Sequence, residues 1–108
     1  MSFYARELSK KEIVLELSGS LEGENLEILF EELNTLMDSS YVVIILDLSK
    51  IAYCNINRFS RILYFHERLK SQNRRIDICG CRSSLYNLLK QSKLSGIIDI
   101  RKESPKKK

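Results

Sequence analysis

The stretch that decides the fold runs from Tyr41 to Phe65 and reads YVVIILDLSKIAYCNINRFSRILYF. It begins with an apolar run from Val42 to Leu46, in which four of the five residues are β-branched. Such a run is typical of a strand buried on both faces, at the centre of a sheet covered by helices. The pattern predicts that this strand ends near residues 47–49, that a short polar turn follows, and that the turn leads into a helix. In open α/β folds, ligands and partners bind at the edge of the sheet formed by the carboxyl ends of the strands.

Hydrophobic spacing places the other elements around the central strand. It predicts a β-hairpin of residues 3–8 and 13–18 that Gly19 ends, a helix over 24–37, a helix over 58–71 capped by Asn55 or Asn57, a strand over 74–80, a helix capped by Ser83 or Ser84, and a last strand over 97–100. The order β-β-α-β-α-β-α-β predicts an α/β domain. Its sheet is expected to be small, mixed and mostly parallel, with helices mainly on one face.

Charge is unevenly distributed along the 108 residues. The chain has 18 basic and 14 acidic side chains. Five of the basic and one of the acidic side chains lie from Arg101 onward, which leaves 13 of each in residues 1–100. The net charge of +4 therefore belongs to the end of the chain. We predict one domain over residues 1–100 and a disordered basic tail over 101–108. Because the body is neutral, nucleic-acid binding is not expected of it; the tail alone could add only loose, salt-sensitive affinity.

The sequence also indicates a cellular compartment. No apolar run approaches the length of a membrane span, and the residues after Met1 lack the apolar segment of a signal peptide. Three cysteines are an odd number and do not make a disulfide framework. These features predict a cytoplasmic protein without membrane insertion.

Catalytic and metal-binding patterns are weak. Cys54, Cys79 and Cys81 are predicted near one edge of the sheet, but their spacing is poor for a metal and small buried cysteines are common. His66, the single histidine, falls on the apolar face of its helix and is expected in the core. No nucleophile stands beside a base, and no glycine-rich phosphate cradle is present. We therefore expect neither an enzyme nor a cofactor or metal site.

Three segments in order resemble the STAS domain, the family of anti-sigma-factor antagonists and sulfate-transporter tails. They are LSGSLE at residues 17–22, VIILDLS at 43–49 and LLKQSKLSGII at 88–98. The resemblance covers residues 13–100 and implies a domain that works by binding other proteins. It implies a bacterial partner-switching pathway in transcription regulation, with an anti-sigma factor or related ATPase-type serine kinase as partner. An alternative within the family is a subunit of a lipid-transporting ABC complex, which would bind the transporter ATPase.

The departure from the family lies in the loop after the central strand. Regulatory STAS domains carry Asp-Ser-Ser/Thr-Gly-Leu there, and the second hydroxyl is phosphorylated. The matching residues here are Asn55-Ile56-Asn57-Arg58-Phe59, so the phosphoacceptor position is Asn57, which has no hydroxyl. Two interpretations stay open: Asn57 mimics the unphosphorylated serine and keeps the domain competent to bind, or Arg58 blocks the usual partner. Ser60, further along the helix, is an alternative phosphosite.

A basic stripe on the second predicted helix is the candidate contact surface. Arg58, Arg61, Phe65 and Arg68 lie at i, i+3, i+7 and i+10, which places them about 120° from the core stripe on a regular helix. Phe65 would anchor an acidic partner groove and the arginines would steer it. The other interpretation is an ordinary solvated face. Together with the loop, the predicted partner-binding residues are Asn55, Asn57, Arg58, Arg61, Phe65 and Arg68.

Overall fold

The structure, a computed structural model, describes residues 2–105. The elements, in chain order, are β1 (Ser2–Ser9), β2 (Glu12–Leu21), α1 (Glu24–Met37), β3 (Val43–Cys54), α2 (Ile56–Phe59), α3 (Ile62–Lys70), β4 (Arg75–Cys79), α4 (Ser83–Lys90) and β5 (Asp99–Ile100). This order confirms the predicted alternation, with the second helix divided into α2 and α3.

The strands form one mixed sheet in the order β1-β2-β3-β4-β5. β1 is antiparallel to β2, and every other neighbouring pair is parallel. Helical crossovers between parallel strands are right-handed, which carries successive helices to the same face of this sheet. The packing agrees, because the main apolar cluster contains helix residues, whereas the buried residues of the cluster on the opposite face all belong to strands: Leu8, Val14, Val43, Ile45 and Cys79. The predicted α/β class with helices mainly on one face is confirmed.

Helix α1 has the bounds that its apolar spacing predicts. Its buried residues are Leu26, Leu29, Phe30, Leu33 and Leu36, and all five belong to the main cluster. Burial of a side chain of this kind contributes about 1.5 to 3 kcal/mol. Packing therefore holds α1 in place, because its N-cap residue, Gly23, has no side chain that could cap the helix. Glu24 and Glu27 in the first turn complement the helix dipole.

Two strands run further than the sequence predicts. β2 continues through Gly19, which has a φ of 100° next to a shift in the pairing with β3. β3 continues past Asp47 to Cys54, because Lys50 to Cys54 pair with the end of β2. The expected polar turn after the apolar run was therefore wrong, and the loop begins at Asn55.

The predicted helix over residues 58–71 is interrupted at Ser60 and Arg61. The backbone N–H groups of Arg61, Leu63 and Tyr64 bond to the carbonyl three residues back, as in a 3₁₀ turn. α3 then starts at Ile62, and its buried residues are Ile62, Phe65, His66 and Leu69.

The other differences lie at the ends of elements. α4 starts at Ser83 itself, and Arg82 occupies its cap position without a side-chain hydrogen bond, so the predicted serine cap was wrong. The last strand is shorter than predicted, because only Asp99 and Ile100 pair with β4.

The segment after β5 is bonded to the sheet at its start. The carbonyl of Glu103 accepts from the Gly80 N–H at 2.7 Å, and that of Arg101 accepts from the Cys81 N–H at 3.2 Å. The side chain of Arg101 pairs with the buried carboxylate of Asp77 at 3.3 Å. Arg101 and Glu103 are thus bonded to the rest of the domain, and the disordered tail over residues 101–108 stays a prediction. Residues 106–108 lie outside the described part of the chain, and the domain limit at residue 100 stays a prediction.

Candidate protein-binding face

The loop after β3 is shaped by Asn55. Its backbone N–H donates to the Leu21 carbonyl at 2.9 Å, and its side-chain Oδ1 accepts from the Arg58 N–H at 3.2 Å. The side chain thus caps the first turn of α2, so Asn55 is the cap of the two, Asn55 or Asn57, that the sequence offers. Asn57 lies exposed in the same turn. The cap fixes where Asn57 is presented at the sheet edge.

Arg58 makes an ion pair within the domain. Its Nη2 lies 2.7 Å from Oε2 of Glu27 on α1, and both side chains are more than a third exposed. A pair of this kind contributes at most about 1 kcal/mol to stability. Its structural consequence is larger, because the guanidinium of Arg58 is drawn to α1.

Phe65 does not form the exposed anchor that the sequence predicted. Its side chain is 8% exposed and stacks on Phe30 with ring centroids 6.0 Å apart. Ile62, His66 and Leu69 are buried as a regular helix predicts, so the error lies elsewhere: Phe65 borders that stripe, and Phe30 of α1 covers it. The spacing of Ile62, Phe65, His66 and Leu69 at i, i+3, i+4 and i+7 was the available signal.

Tyr64 takes the exposed aromatic position that the sequence analysis missed. It is 62% exposed and meets Phe65 edge to face, with centroids 5.3 Å apart. The guanidinium of Arg68 lies 5.6 Å from its ring centroid, and that of Arg61 lies 5.2 Å from the Phe30 ring. Arg61, Tyr64 and Arg68 therefore form a continuous cationic and aromatic surface, which we call the α3 face.

Ser60 is not placed as an alternative phosphosite. Its side chain is buried, with 6% exposed, and its hydroxyl donates to the Ile56 carbonyl at 2.8 Å. Transfer of a phosphoryl group would require this turn to open and then bury a dianion. The structure therefore does not support the interpretation based on Ser60.

The three cysteines are free and buried, but they are not grouped on one face. Cys54 and Cys81 belong to the cluster on the helix side of the sheet, whereas Cys79 belongs to the opposite cluster. Burial raises the thiol pKa of Cys54 and Cys79 to about 12 and that of Cys81 to about 11. Among residues 2–105, no three His, Cys, Asp or Glu side chains are arranged to hold a metal ion.

The thiols are expected to be unreactive in the folded protein. With a pKa of about 11, roughly a thousandth of Cys81 is thiolate at pH 8, and the other two are still less ionised. Labelling with iodoacetamide followed by mass spectrometry should detect no modified cysteine in native buffer and three in 8 M urea. Rapid modification of one thiol in the native protein would contradict this placement.

His66 joins α3 to β4 and is neutral. Its side chain is 5% exposed, and its Nδ1 accepts from the backbone N–H of Ile76 at 3.2 Å. Burial is the main cause that lowers its pKa below the ordinary 6.5, while neighbouring charges of both signs act in opposite directions. The imidazole serves as a buried acceptor, as expected for a histidine in the core.

Stability should depend on pH through this histidine. Because the folded pKa is lowered, the unfolded chain binds more protons just below pH 6.5, and the free energy of unfolding should fall as the pH drops from 6.5 towards the folded pKa. Urea denaturation at several pH values measures this slope. His66→Gln, which keeps an acceptor but does not titrate, should flatten it; an unchanged slope in that variant would contradict the assignment.

Comparison with known proteins agrees with this architecture. Residues 5–106 match the STAS domain family. The chain belongs to this family. No curated protein sequence matches it. No helix in the described part of this STAS domain is both long and apolar enough to cross a membrane.

Two solved structures illustrate the fold of this STAS domain. One is the anti-sigma-factor antagonist SpoIIAA in its unphosphorylated form, with a TM-score of 0.75 and 13% identity over 92% of this chain and 87% of the other. The second is the Bacillus cell fate determinant SpoIIAA in the phosphorylated form, with a TM-score of 0.69 and 14% identity over 92% and 90% of the two chains. At these identities the similarity shows a shared fold.

Proposed function

We propose that this STAS domain is a non-enzymatic, cytoplasmic regulator that binds a protein partner as an anti-sigma-factor antagonist in a partner-switching pathway. The family and the SpoIIAA-like fold support a regulatory domain of this type. The partner is an anti-sigma factor or a related ATPase-type serine kinase. The observation that carries the proposal is the α3 face, which lies directly after the loop that presents Asn57.

The α3 face has the chemistry of a contact site for an acidic surface. Tyr64 supplies a large amphipathic ring at the centre, and Arg61 and Arg68 supply two planar cations that are stacked on aromatic rings. Tyrosine and arginine are the side chains enriched at energetic centres of interfaces. Stacking restricts the arginines before binding, which lowers the entropy that association costs.

The state of the loop favours permanent binding competence. Asn57 offers no hydroxyl to a kinase, and the buried hydroxyl of Ser60 does not replace it. The side chain of Arg58 forms an ion pair with Glu27 on α1, so its guanidinium lies against the domain. We therefore favour the interpretation in which Asn57 mimics the unphosphorylated serine over the one in which Arg58 blocks the partner. Exchange of partners would then depend on their concentrations.

The test is binding by matched surface variants. The tagged domain would be purified from its native cells, and the proteins recovered with it identified by mass spectrometry and then purified. We expect an ATPase-type anti-sigma factor that binds wild type and binds Arg61→Glu/Tyr64→Ala at least tenfold more weakly, because two central contacts are lost.

The control is Lys10→Glu/Tyr4→Ala on edge strand β1 and the turn that follows it. Tyr4 is 64% exposed, so its loss perturbs the fold as little as that of Tyr64, and affinity should stay at the wild-type value. Equal affinity of both double variants would overturn the α3 face as the contact. Recovery of a transporter ATPase instead would assign the domain to a lipid-transporting complex.

A further inference from the structure

A second surface lies on the other side of the loop, where β3 extends beyond the end of β4. β3 pairs with β2 as far as Cys54, but with β4 only from Val43 to Asp47. Among residues 2–105, no strand pairs with the later half of β3 on the β4 side. The contact made there is from Arg82, whose Nη2 donates to the Ser49 carbonyl at 3.2 Å. Ala52 and Tyr53 in this part of β3 are exposed.

A groove runs beside this open edge. Its first part is a cleft of about 180 Å³ between β3 and α4, and it includes Tyr53, Arg82, Leu85 and Leu88. Its second part is a wider cleft of about 430 Å³ whose lining includes Ile56, Asn57 and Lys93. Leu88 lines both clefts and is 47% exposed, so it forms an apolar ridge between them. We call this surface the β3–α4 groove.

The charge of the groove has one sign. Arg82 lies in the first cleft and Lys93 in the second, and no carboxylate side chain lines either one. The two cations are thus separated by the apolar side chains of Leu85 and Leu88. A ligand that matches this arrangement carries apolar groups at its centre and negative charges towards its ends.

We propose that the β3–α4 groove binds an extended acidic segment of a partner protein as an added strand. The open edge of β3 supplies backbone hydrogen bonds, the two clefts take alternate apolar side chains beside Leu88, and Arg82 and Lys93 pair with flanking carboxylates. This surface includes Asn57 but none of the three residues of the α3 face, so variants of either surface test one proposal without the other. If both surfaces bind, one partner contacts the domain at two sites, the α3 face and the β3–α4 groove.

The probe is a phage-displayed library of random ten-residue peptides, selected in parallel on the wild-type domain and on Leu88→Asp. We expect the wild type to enrich peptides of net negative charge with one or two large apolar residues. A synthetic peptide of an enriched sequence should shift the backbone amide resonances of residues 50–53 and of α4. Its affinity for Leu88→Asp should be at least tenfold lower.

Two control variants distinguish this binding from nonspecific adsorption of the peptide. Ile97 is 45% exposed and lies outside the groove, so Ile97→Asp should bind the peptide as the wild type does. Lys93→Glu should weaken binding, whereas Lys11→Glu, also exposed, should not.

Peptide N-methylation tests the added strand directly. One analogue carries methyl groups on the odd backbone amides and the other on the even ones, so only one set faces β3. One analogue should lose binding and the other should keep it. The proposal is overturned if no peptide is enriched on the wild type over Leu88→Asp, if enriched peptides are basic or shift only the α3 resonances, or if both analogues bind equally.

Discussion

Replacing Gly80 with alanine is expected to lower the free energy of unfolding by about 3 to 5 kcal/mol. Gly80 follows β4 with a φ of +71°, a conformation that L side chains rarely adopt. A Cβ at this position would overlap Oδ1 of the buried Asp47 and approach the backbone nitrogen of Ser49 to 3.3 Å. Asp47 cannot move away without loss, because the same Oδ1 accepts a hydrogen bond from the Ser49 N–H at 3.0 Å.

The matched control is Gly96→Ala. Gly96 has a φ of +84°, but a Cβ there would meet nothing within 4 Å. This variant should lose only the backbone contribution, about 1 to 2 kcal/mol. The difference between the two alanine variants, measured by urea denaturation, therefore reports the contact with Asp47. Equal losses would show that Gly80 is required for its backbone conformation alone.

Asp47 shows where prediction from the sequence stops in this fold. The apolar run before it identified the central strand, because burial on both faces leaves a continuous pattern of large side chains. The strand's continuation to Cys54 leaves no such pattern, since Lys50, Ala52 and Tyr53 are exposed. Pairing with the end of β2 imposes the strand there, and that pairing joins residues about thirty positions apart. Local spacing carries no information about it.

The candidate site likewise has features that local sequence predicts and features that depend on the assembled fold. Asn55 was a predictable cap, because capping depends on residue type and on the next three residues. The burial of Phe65 was not predicted, because it depends on Phe30 of α1, which packs over the side of α3 next to the predicted core stripe. The β3–α4 groove depends on β4 being shorter than β3, which is a property of the assembled sheet.

Phe65 should contribute to stability and Tyr64 to partner binding, whereas the predicted basic stripe assigned partner binding to Phe65. Phe65→Ala is expected to lower the free energy of unfolding by about 3 kcal/mol, because it removes a buried ring that stacks on Phe30. Tyr64→Ala should change stability by about 1 kcal/mol or less, since it loses an exposed ring and its contact with Arg68. Denaturation with urea measures both values.

Partner affinity should follow the opposite order. Tyr64→Ala removes the exposed centre of the α3 face and should weaken binding of the partner about tenfold. Phe65→Leu keeps an apolar side chain under that face, so it should retain affinity while losing part of the stability. If Phe65→Ala instead folded as stably as the wild type and failed to bind, Phe65 would be exposed. The predicted stripe of Arg58, Arg61, Phe65 and Arg68 would then be the contact surface.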